Sequence, residues 1–478
     1  MKKERKFNRE LFAVTLLYII AGIGLTALLV YMARKYFDTA YLLAFGLGGL
    51  LVWLLILSLS LKHQWAGTIL AFILCLGLIG GDIFVHKISD VTDNIVVVYD
   101  TYSVQIISAK NSKVTKDDSF LGLRLGYVGS EEYYTNWALG ILQNNEKITG
   151  LEEVPYESYI DCFKDLVAGN IDLMVLSSIA EGELEEAADN GDISEYAYRS
   201  LFYDEQKMAL EPLETVDINN NGFTILINGV DLSGTDIHKK ARADVNILVT
   251  VNPTTAKVNI QVLPRDLWVE IPERGYKKTK LNRASSLEGT QGTINAIENY
   301  FDHTFKINYY AKMNFDGFIS LVDKVGGIEV YSQYTYSAGG YTFKKGMNKM
   351  DGAKALMFCR ARKMLPENDV SRGKNQMRVI QAIMEKFLKK PSVDKMFAIL
   401  DVVEGNFVTS FTEKDFISMY NLLMNIKDRM VIESNSMKGN TKHYEMDPLI
   451  HQWLYYFIPD EGQKEAALQR ILDTIDGK

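Results

Sequence analysis

The sequence predicts a membrane-anchored α/β protein, in which a small α/β accessory domain precedes a larger layered α/β domain with a central mixed sheet flanked by helices. Three observations lead there. Apolar runs fill the first 85 residues, strand-like and helix-like segments then alternate in two successive stretches, and the polar turn DINNNG at Asp217–Gly222 separates those stretches. At 478 residues and 47% hydrophobic content, the chain is long enough to bury more than one core. The expected boundaries are residues 1–90 for the membrane region, 91–217 for the accessory domain and 218–478 for the larger domain.

Leu11–Met32 and Ala40–Leu61 are each 22 residues without a charge. At about 1.5 Å per residue, either crosses the roughly 30 Å hydrocarbon layer of a bilayer. A third run, Ala66–Val85, has sixteen uncharged residues before Asp82 and contains Gly77, Gly80 and Gly81, which makes it the weakest of the three. The first run is long, lacks a small-residue cleavage site and is followed by two more, which argues against a signal peptide. Lys2, Lys3, Arg5, Lys6 and Arg9 precede it, against Arg34, Lys35 and Lys62 in the following loops. That asymmetry predicts a cytoplasmic amino terminus, and three crossings then place everything beyond the membrane region outside the cell. Cys75 lies within a span, and Cys162 and Cys359 are isolated, so no disulfide framework is implied and the two outer cysteines read as small buried residues.

In the accessory stretch, IVVVYD and SVQIIS have strand composition, LGLRLGYVG ends in a turn, and IDLMVLSS reads as a buried strand. EEYYTNWALGILQNN and YIDCFKDLVAGN alternate apolar and polar residues at helical spacing. The acidic run EGELEEAADNGD is expected to be a solvated helix face, since it contains no D-x-D-x-D-G calcium loop. This alternation is compatible with a ligand-binding half-domain, but nothing in it names a ligand.

Beyond the polar turn, FTILINGVD, ADVNILVTVNP and KVNIQVLPRD are strands rich in β-branched residues, and NPTTAK joins the last two. GTINAIENYF, FDGFISLVDKV, DGAKALMFC and SRGKNQMRVIQAIMEKFLKK are helices, a mixture that indicates a sheet covered by helices. TEKDFISMYNLLMNI and EGQKEAALQRILDTI add further helices in the tail.

Charge is distributed unevenly. The chain has a net charge of -8, yet residues 91–220 carry 8 basic against 25 acidic groups while residues 221–390 carry 26 against 16. The stretch Cys359–Arg378 gathers Arg360, Arg362, Lys363, Arg372, Lys374 and Arg378 against only Glu367 and Asp369. Further polar groups fall at strand ends: Asp231 in NGVD, Arg242 and Asp244 in RAD, Arg265 and Asp266 in LPRD. Strand ends are where layered sheets hold ligands. Arg360 and Arg362 share one side if the chain is extended there, and Arg372 and Gln376 share one face at a helix start, with Asp369 or Ser371 available as the cap. Arginine presents a fork of donors that matches phosphate oxygens in pairs, so several converging forks suit a pyrophosphate. Two like charges about 4 Å apart repel by roughly 4 kcal/mol at an effective dielectric near 20, so such a cluster calls for an anion or balancing carboxylates. Asp231 and Asp244 suit magnesium, which takes one or two carboxylates and completes its shell with water and phosphate. Capping of turns is their other reading.

NGVD, RAD, LPRD, FDGFISLVDKVGGIEV, FCRAR and DVSRGKNQ, in that order over residues 222–478, closely resemble the LytR-CpsA-Psr (LCP) family of wall-polymer ligases. The resemblance implies a membrane-anchored, magnesium-dependent phosphotransferase with an extracellular LCP catalytic domain. Such an enzyme takes a capsular polysaccharide or similar glycopolymer from a polyprenyl pyrophosphate carrier and joins it to peptidoglycan as a phosphodiester. By the same resemblance Asp231 and Asp244 hold Mg2+. Arg242, Arg265, Arg360, Arg362, Arg372 and Gln376 grip the pyrophosphate and adjoining groups, and Asp369 orients an arginine or acts as base. Its partners are the lipid carrier, peptidoglycan, the cytoplasmic membrane and capsule biosynthesis proteins.

A polyprenyl tail needs an apolar wall; Ile294, Ile297, Phe301, Phe315, Phe318, Ile319 and Val322, on two predicted helices, are the candidates, and some of them are expected to line an open groove instead of filling a closed core. Two alternatives use the same sequence: a pyrophosphatase that hydrolyses the carrier, and a non-catalytic scaffold or regulator of capsule assembly. Nucleic acid is not an expected partner, because the basic residues lie at strand ends and no helix-turn-helix pattern occurs. The sequence also lacks a P-loop and an H-E-x-x-H zinc motif.

Overall fold

A computed structural model describes residues 8–33, 39–95, 99–191, 193, 196–232, 236–366, 368–389, 405–448 and 453–478. The apolar runs form α1 (Arg9–Ala33), α2 (Thr39–Lys62) and α3 (Gln64–Ile95). Each contains a segment of 20 to 23 residues that is long and apolar enough to cross a membrane. Small residues let these helices approach closely. The Trp53 ring fills the place a Cβ on Gly22 would take, and its indole N–H donates to Thr26 at 3.1 Å. Thr15 and Thr68 join α1 to α3 through a 2.6 Å hydroxyl contact. These helices belong to one compact unit and the two large sheets described next to another.

The accessory domain comprises β1 (Tyr99–Ala109), β2 (Arg124–Val128), α4 (Glu132–Asn144), β3 (Glu152–Tyr156), α5 (Tyr159–Ala168), β4 (Leu173–Ser177), α6 (Ser178–Asn190) and β5 (Tyr198–Ala209). Its sheet order is β3-β2-β4-β1-β5, with β2 parallel to both neighbours and β1 antiparallel to β4 and β5. The apolar run LMVLS is buried along its whole length, as a central strand requires. Ser158 caps α5 by accepting from the Ile160 amide at 3.2 Å, and Gly169, at φ +79°, ends that helix. The acidic run departs from expectation. α6 is not solvated on all its acidic positions: Glu183 is buried, and Gln105 donates to Glu181 at 2.5 Å.

The larger domain begins with β6 (Phe223–Val230), β7 (Ala243–Val251) and β8 (Lys257–Leu263), an antiparallel meander matching the three predicted strands. There follow β9 (Trp268–Ile271), β10 (Lys277–Lys280), α7 (Leu281–Tyr300), β11 (Tyr309–Met313) and α8 (Phe315–Lys324). Two small antiparallel pairs come next, β12 (Ile328–Ser332) with β15 (Gly346–Met350) and β13 (Tyr336–Ala338) with β14 (Tyr341–Phe343). α9 (Gly352–Arg360), α10 (Asn368–Lys389), β16 (Phe407–Thr409) and α11 (Glu413–Ile426) lead to the tail. The tail is not purely helical: β17 (Val431–Ser436) joins the main sheet, β18 (Gly439–Met446) pairs with β19 (Trp453–Pro459), and only then comes α12 (Gln463–Asp476).

The central sheet has the order β16-β11-β6-β7-β8-β17 and is mixed, because β11 runs parallel to β6 and β17 parallel to β8. α7 and α12 cover one face, where Ile294, Ile297, Phe301, Ala467 and Ile471 pack with Leu226, Leu248 and Leu263. α8 and α10 lie on the other. A Cβ on Gly317 would meet Met313, and one on Gly373 would meet Val262, both on strand positions that alternate away from the first face. Gly289, at φ +67°, breaks α7 into two helices. Asp100 of the accessory domain caps the second, accepting from the Thr290 amide at 2.7 Å, in the space a side chain at Gly289 would occupy.

Phe301 has no exposed surface and sits inside the first core. Phe301→Ala is therefore expected to lower the unfolding free energy by about 3–5 kcal/mol, measured by denaturant titration of the full chain.

Candidate active site

The carboxylates converge through a strand irregularity. β6 and β7 pair Gly229 with Val245 but Val230 with Ala243, so Asp244 is the extra residue of a bulge. Such a bulge bends the strand and re-aims the side chain. Asn246, buried, holds it in place, donating to the Ala243 carbonyl at 2.8 Å and accepting from Asn228 at 2.8 Å. Just beyond the pairing, the Asp231 amide donates to the Arg242 carbonyl at 3.0 Å, which ties the ends of the NGVD and RAD segments together. Asp231 keeps an exposed side chain. Even so, removal of water by the surrounding protein, with Asp244 as a second cause, raises its carboxyl above the ordinary range against the pull of Arg360, Arg242 and Arg265.

Arg265 follows β8, whose Leu263 pairs with Asn246, and this brings its guanidinium onto Asp244 at 2.5 Å. The neighbouring Asp266 points into a cluster of cations. Its carboxylate lies 3.1 Å from Lys280, 3.5 Å from Arg265 Nε and 4.0 Å from Arg362, and it accepts from the Tyr455 hydroxyl at 2.8 Å. Burial opposes its charge, but Lys280, Arg265, Arg372 and Arg362 outweigh that cost and hold the carboxyl below the usual range. Arg362 also donates to the Tyr455 hydroxyl.

α10 supplies the remaining wall. It begins at Asn368, earlier than the expected start at Ser371, so Ser371 lies within the helix and not at its cap. The side chain of Asp369 lies outside the described residues. Arg372 and Gln376, one turn apart, line a small cleft with Asp244, Arg265, Val262 and Met437. Arg360 and Arg362 have different partners. Arg360 is the last residue of α9, so the chain between the pair is extended only at Ala361, with φ -57° and ψ 124°. Arg360 stacks over Phe315 with its guanidinium 4.6 Å from the ring centroid, whereas Arg362 faces Asp266 and Tyr455.

The seven apolar candidates for the lipid wall are divided. Ile294, Ile297 and Phe301 are 2%, 1% and 0% exposed, in the core beneath α7. Val322 and Phe318 pack in a different cluster, with Ile328, Ala355 and Phe358, while Phe315 and Ile319 are half-buried. Their helices cover opposite faces of the sheet, so no single groove contains all seven. Sequence reasoning also passed over Lys280, Asn282 and Tyr455 and gave Asp266 no role. Asn282 is buried and donates to Asp244 Oδ1 at 3.5 Å.

Asp231 and Asp244 offer hard oxygen donors, and Asp244 lies close enough to disfavour the charge on Asp231; carboxylate oxygens are a donor type that fits magnesium. Among the described residues no third His, Cys, Asp or Glu joins them.

Asp266→Asn would leave buried cations without their shared carboxylate and is expected to cost about 3–5 kcal/mol of stability at neutral pH. Because the folded carboxyl titrates below its unfolded value, its contribution is full above that unfolded value and fades as the pH falls through the folded one. Unfolding curves of both proteins should therefore converge as the pH drops below about 4.

The LytR_cpsA_psr family matches residues 195–471. The Polyisoprenyl-teichoic acid–peptidoglycan teichoic acid transferase TagU of Bacillus subtilis (strain 168) is 32% identical over 263 residues, which cover 55% of this chain and 81% of that protein. The protein of the same name from Bacillus licheniformis is 34% identical over 263 residues, with the same coverage. The crystal structure of B. subtilis TagU aligns with 54% of this chain and 99% of its own at 30% identity, with a TM-score of 0.42. The family match takes in more than half of the sequence and both strands that carry the paired aspartates, and the chain belongs to the LytR_cpsA_psr family.

Proposed function

We propose that the protein transfers a glycopolymer, a capsular polysaccharide or similar wall polymer, from a polyprenyl pyrophosphate carrier to peptidoglycan. One observation carries this reading: Asp244, Arg265, Arg372 and Gln376, drawn from three separate segments, line one cleft. The activity for which the TagU relatives are named points the same way. Three apolar helices and the basic amino terminus support a multi-pass anchor with its amino terminus in the cytoplasm and the catalytic domain outside.

In this reading Arg265 and Arg372 bind the diphosphate through paired N–H donors and Gln376 adds a neutral contact, while Arg242, Arg360 and Arg362 hold its surroundings positive. Asp231 and Asp244 would hold magnesium, which when bound neutralises charge on phosphate oxygens. A sugar hydroxyl of peptidoglycan attacks the phosphorus nearer the polymer. A new P–O bond forms, the bond to the bridging oxygen breaks, and polyprenyl phosphate leaves with the electron pair. The hydroxyl proton passes to a base, for which Asp369 is the candidate. Phosphoryl transfer of this kind depends on positioning and charge stabilisation more than on a protein nucleophile.

The lipid tail has a candidate surface on the sheet face under α8 and α10. Ile225, Ile227, Ile247, Val249, Ile260 and Val262 alternate onto that face, and Ile225 and Ile227 are only half-buried although they sit on a central strand. Val262 also lines the cleft, so apolar surface and cationic mouth adjoin. Phe315, Phe318 and Ile319 of α8 remain candidates for the opposite wall.

The test is transfer of labelled polymer from a lipid-linked donor to peptidoglycan. Arg265→Ala is expected to reduce wall-bound label by about 100-fold or more. Release of phosphate without wall-bound label would identify a pyrophosphatase instead, and undiminished attachment would point to a scaffold.

A further inference from the structure

The carboxyl ends of parallel strands are where sheets like that of the accessory domain bind ligands. Here that crevice is filled by the catalytic domain. Past the end of β2, Glu131 accepts from Arg274 at 3.0 Å. Past the end of β4, Glu183 of α6 pairs with Arg283 of α7, the two side chains being 5% and 4% exposed. Leu287, one turn further along α7, is buried in the accessory core with Ile179, Ala180 and Leu184.

The segments that enter the crevice are the ones that carry the active site. Lys240, four residues before Asp244, is buried with its ammonium 3.4 Å from the centroid of the Tyr102 ring, and it donates to the Leu287 carbonyl at 2.6 Å. The first turn of α7 faces both ways. The Leu281 and Asn282 amides donate to the carbonyls of Leu267 and Arg265, each at 2.9 Å, which stitches the turn to the LPRD segment. The Asn282 side chain donates to Asp244 at 3.5 Å, and the next residue, Arg283, reaches Glu183.

A buried ion pair adds little net stability over an apolar pair of similar volume, because desolvation consumes its Coulombic gain, whereas removing one partner leaves an uncompensated charge. Such a pair is well suited to enforcing one geometry. We infer that Glu183 and Arg283 are positioning residues for the transfer reaction: by locking the first turn of α7 they hold Asn282 and the Arg265 main chain against Asp244 at the mouth of the cleft. The inference rests on the proposed transferase reading for its activity readout only.

The experiment measures, in the full chain, the melting temperature, the dissociation constant of a short-chain polyprenyl pyrophosphate, and kcat and KM for polymer transfer. Glu183→Gln is expected to weaken pyrophosphate binding and lower kcat by roughly 10- to 100-fold, the range seen when the support of a site ligand is removed. The exchange Glu183→Arg with Arg283→Glu should restore both to within about threefold, since the coupled effects of contacting residues cancel when the contact is rebuilt. Arg124→Ala serves as control. It removes an ion pair to Asp172 at the opposite end of β2 and should leave both values unchanged. If Glu183→Gln does not fold, the milder Glu183→Asp should show a smaller loss in the same direction. A folded single variant that binds and transfers like the wild type overturns the inference, as does a folded exchange that restores neither value. Loss of folding in all three would make the pair purely structural and overturn it too. A wild-type protein that binds the pyrophosphate without transferring polymer would sink the transferase reading, and the binding series would still decide the inference.

Discussion

The site depends on one buried carboxylate. Asp266 is 1% exposed, yet it stays ionised because Lys280, Arg265, Arg372 and Arg362 surround it. The reverse dependence matters as much. Guanidinium groups about 4 Å apart repel by roughly 4 kcal/mol at an effective dielectric near 20, and loops carrying them would splay without a shared counter-charge. Asp266 supplies that charge from beneath, and Asp244 supplies a second through its 2.5 Å contact with Arg265. Four cations then face two carboxylates, and two of the four, Arg265 and Arg372, line the cleft. In the proposed reading, a pyrophosphate arriving there would meet an arrangement already paid for by the fold, so little reorganisation would oppose its binding.

Rigid elements fix the other half of the geometry. Asp231 and Asp244 are set by the β6–β7 register and its bulge, and the buried Asn228–Asn246 pair gives that register a polar lock. A slip of one residue would turn Asp244 away and break both hydrogen bonds of Asn246. Arg372 and Gln376 approach from α10, which packs over Val262 on the opposite side of the cleft. Mounted on strands and a helix, the donors keep their spacing to the precision that phosphoryl transfer demands.

Much of this was legible because the polar residues fall within short motifs at strand ends, where local order in the sequence becomes local order in space. Asp231, Arg242, Asp244 and Arg265 lie at or next to the ends of three consecutive strands, so predicting the strands placed them. What connects Asp266 to Tyr455 is a contact across 189 positions, and no periodicity announces it. Glu183 was read as solvated for the same reason: its partner lies 100 residues away, and acidic composition does not distinguish a paired buried glutamate from a hydrated one. The lipid wall failed differently. Helical spacing of apolar residues states that a helix has a buried face but not which layer it covers, and α7 and α8 cover opposite faces of the sheet. The short strands β12 to β15 escaped notice because three to five residues carry too little alternation to separate from loop.

The accessory domain acquires a physical role from the same considerations. Its contact with the catalytic domain is rich in buried charge, with Arg283, Glu183, Lys240, Lys312 and Asp100 all nearly inaccessible. Association driven by stability alone would favour apolar contact, because each buried ion forfeits hydration that its partner only partly returns. Charged partners reject shifted dockings, since any slip strands an ion in a medium of low dielectric. Burial pushes the Lys240 ammonium down to about 7, but a neutral amine still donates to the Leu287 carbonyl, so that anchor does not depend on the charge. A crowd of mutually repelling arginines tolerates little freedom in the segments that bear it. Residues 240–244, which carry Arg242 and Asp244, and the first turn of α7, whose amides hold the LPRD segment, are the ones anchored to the accessory domain.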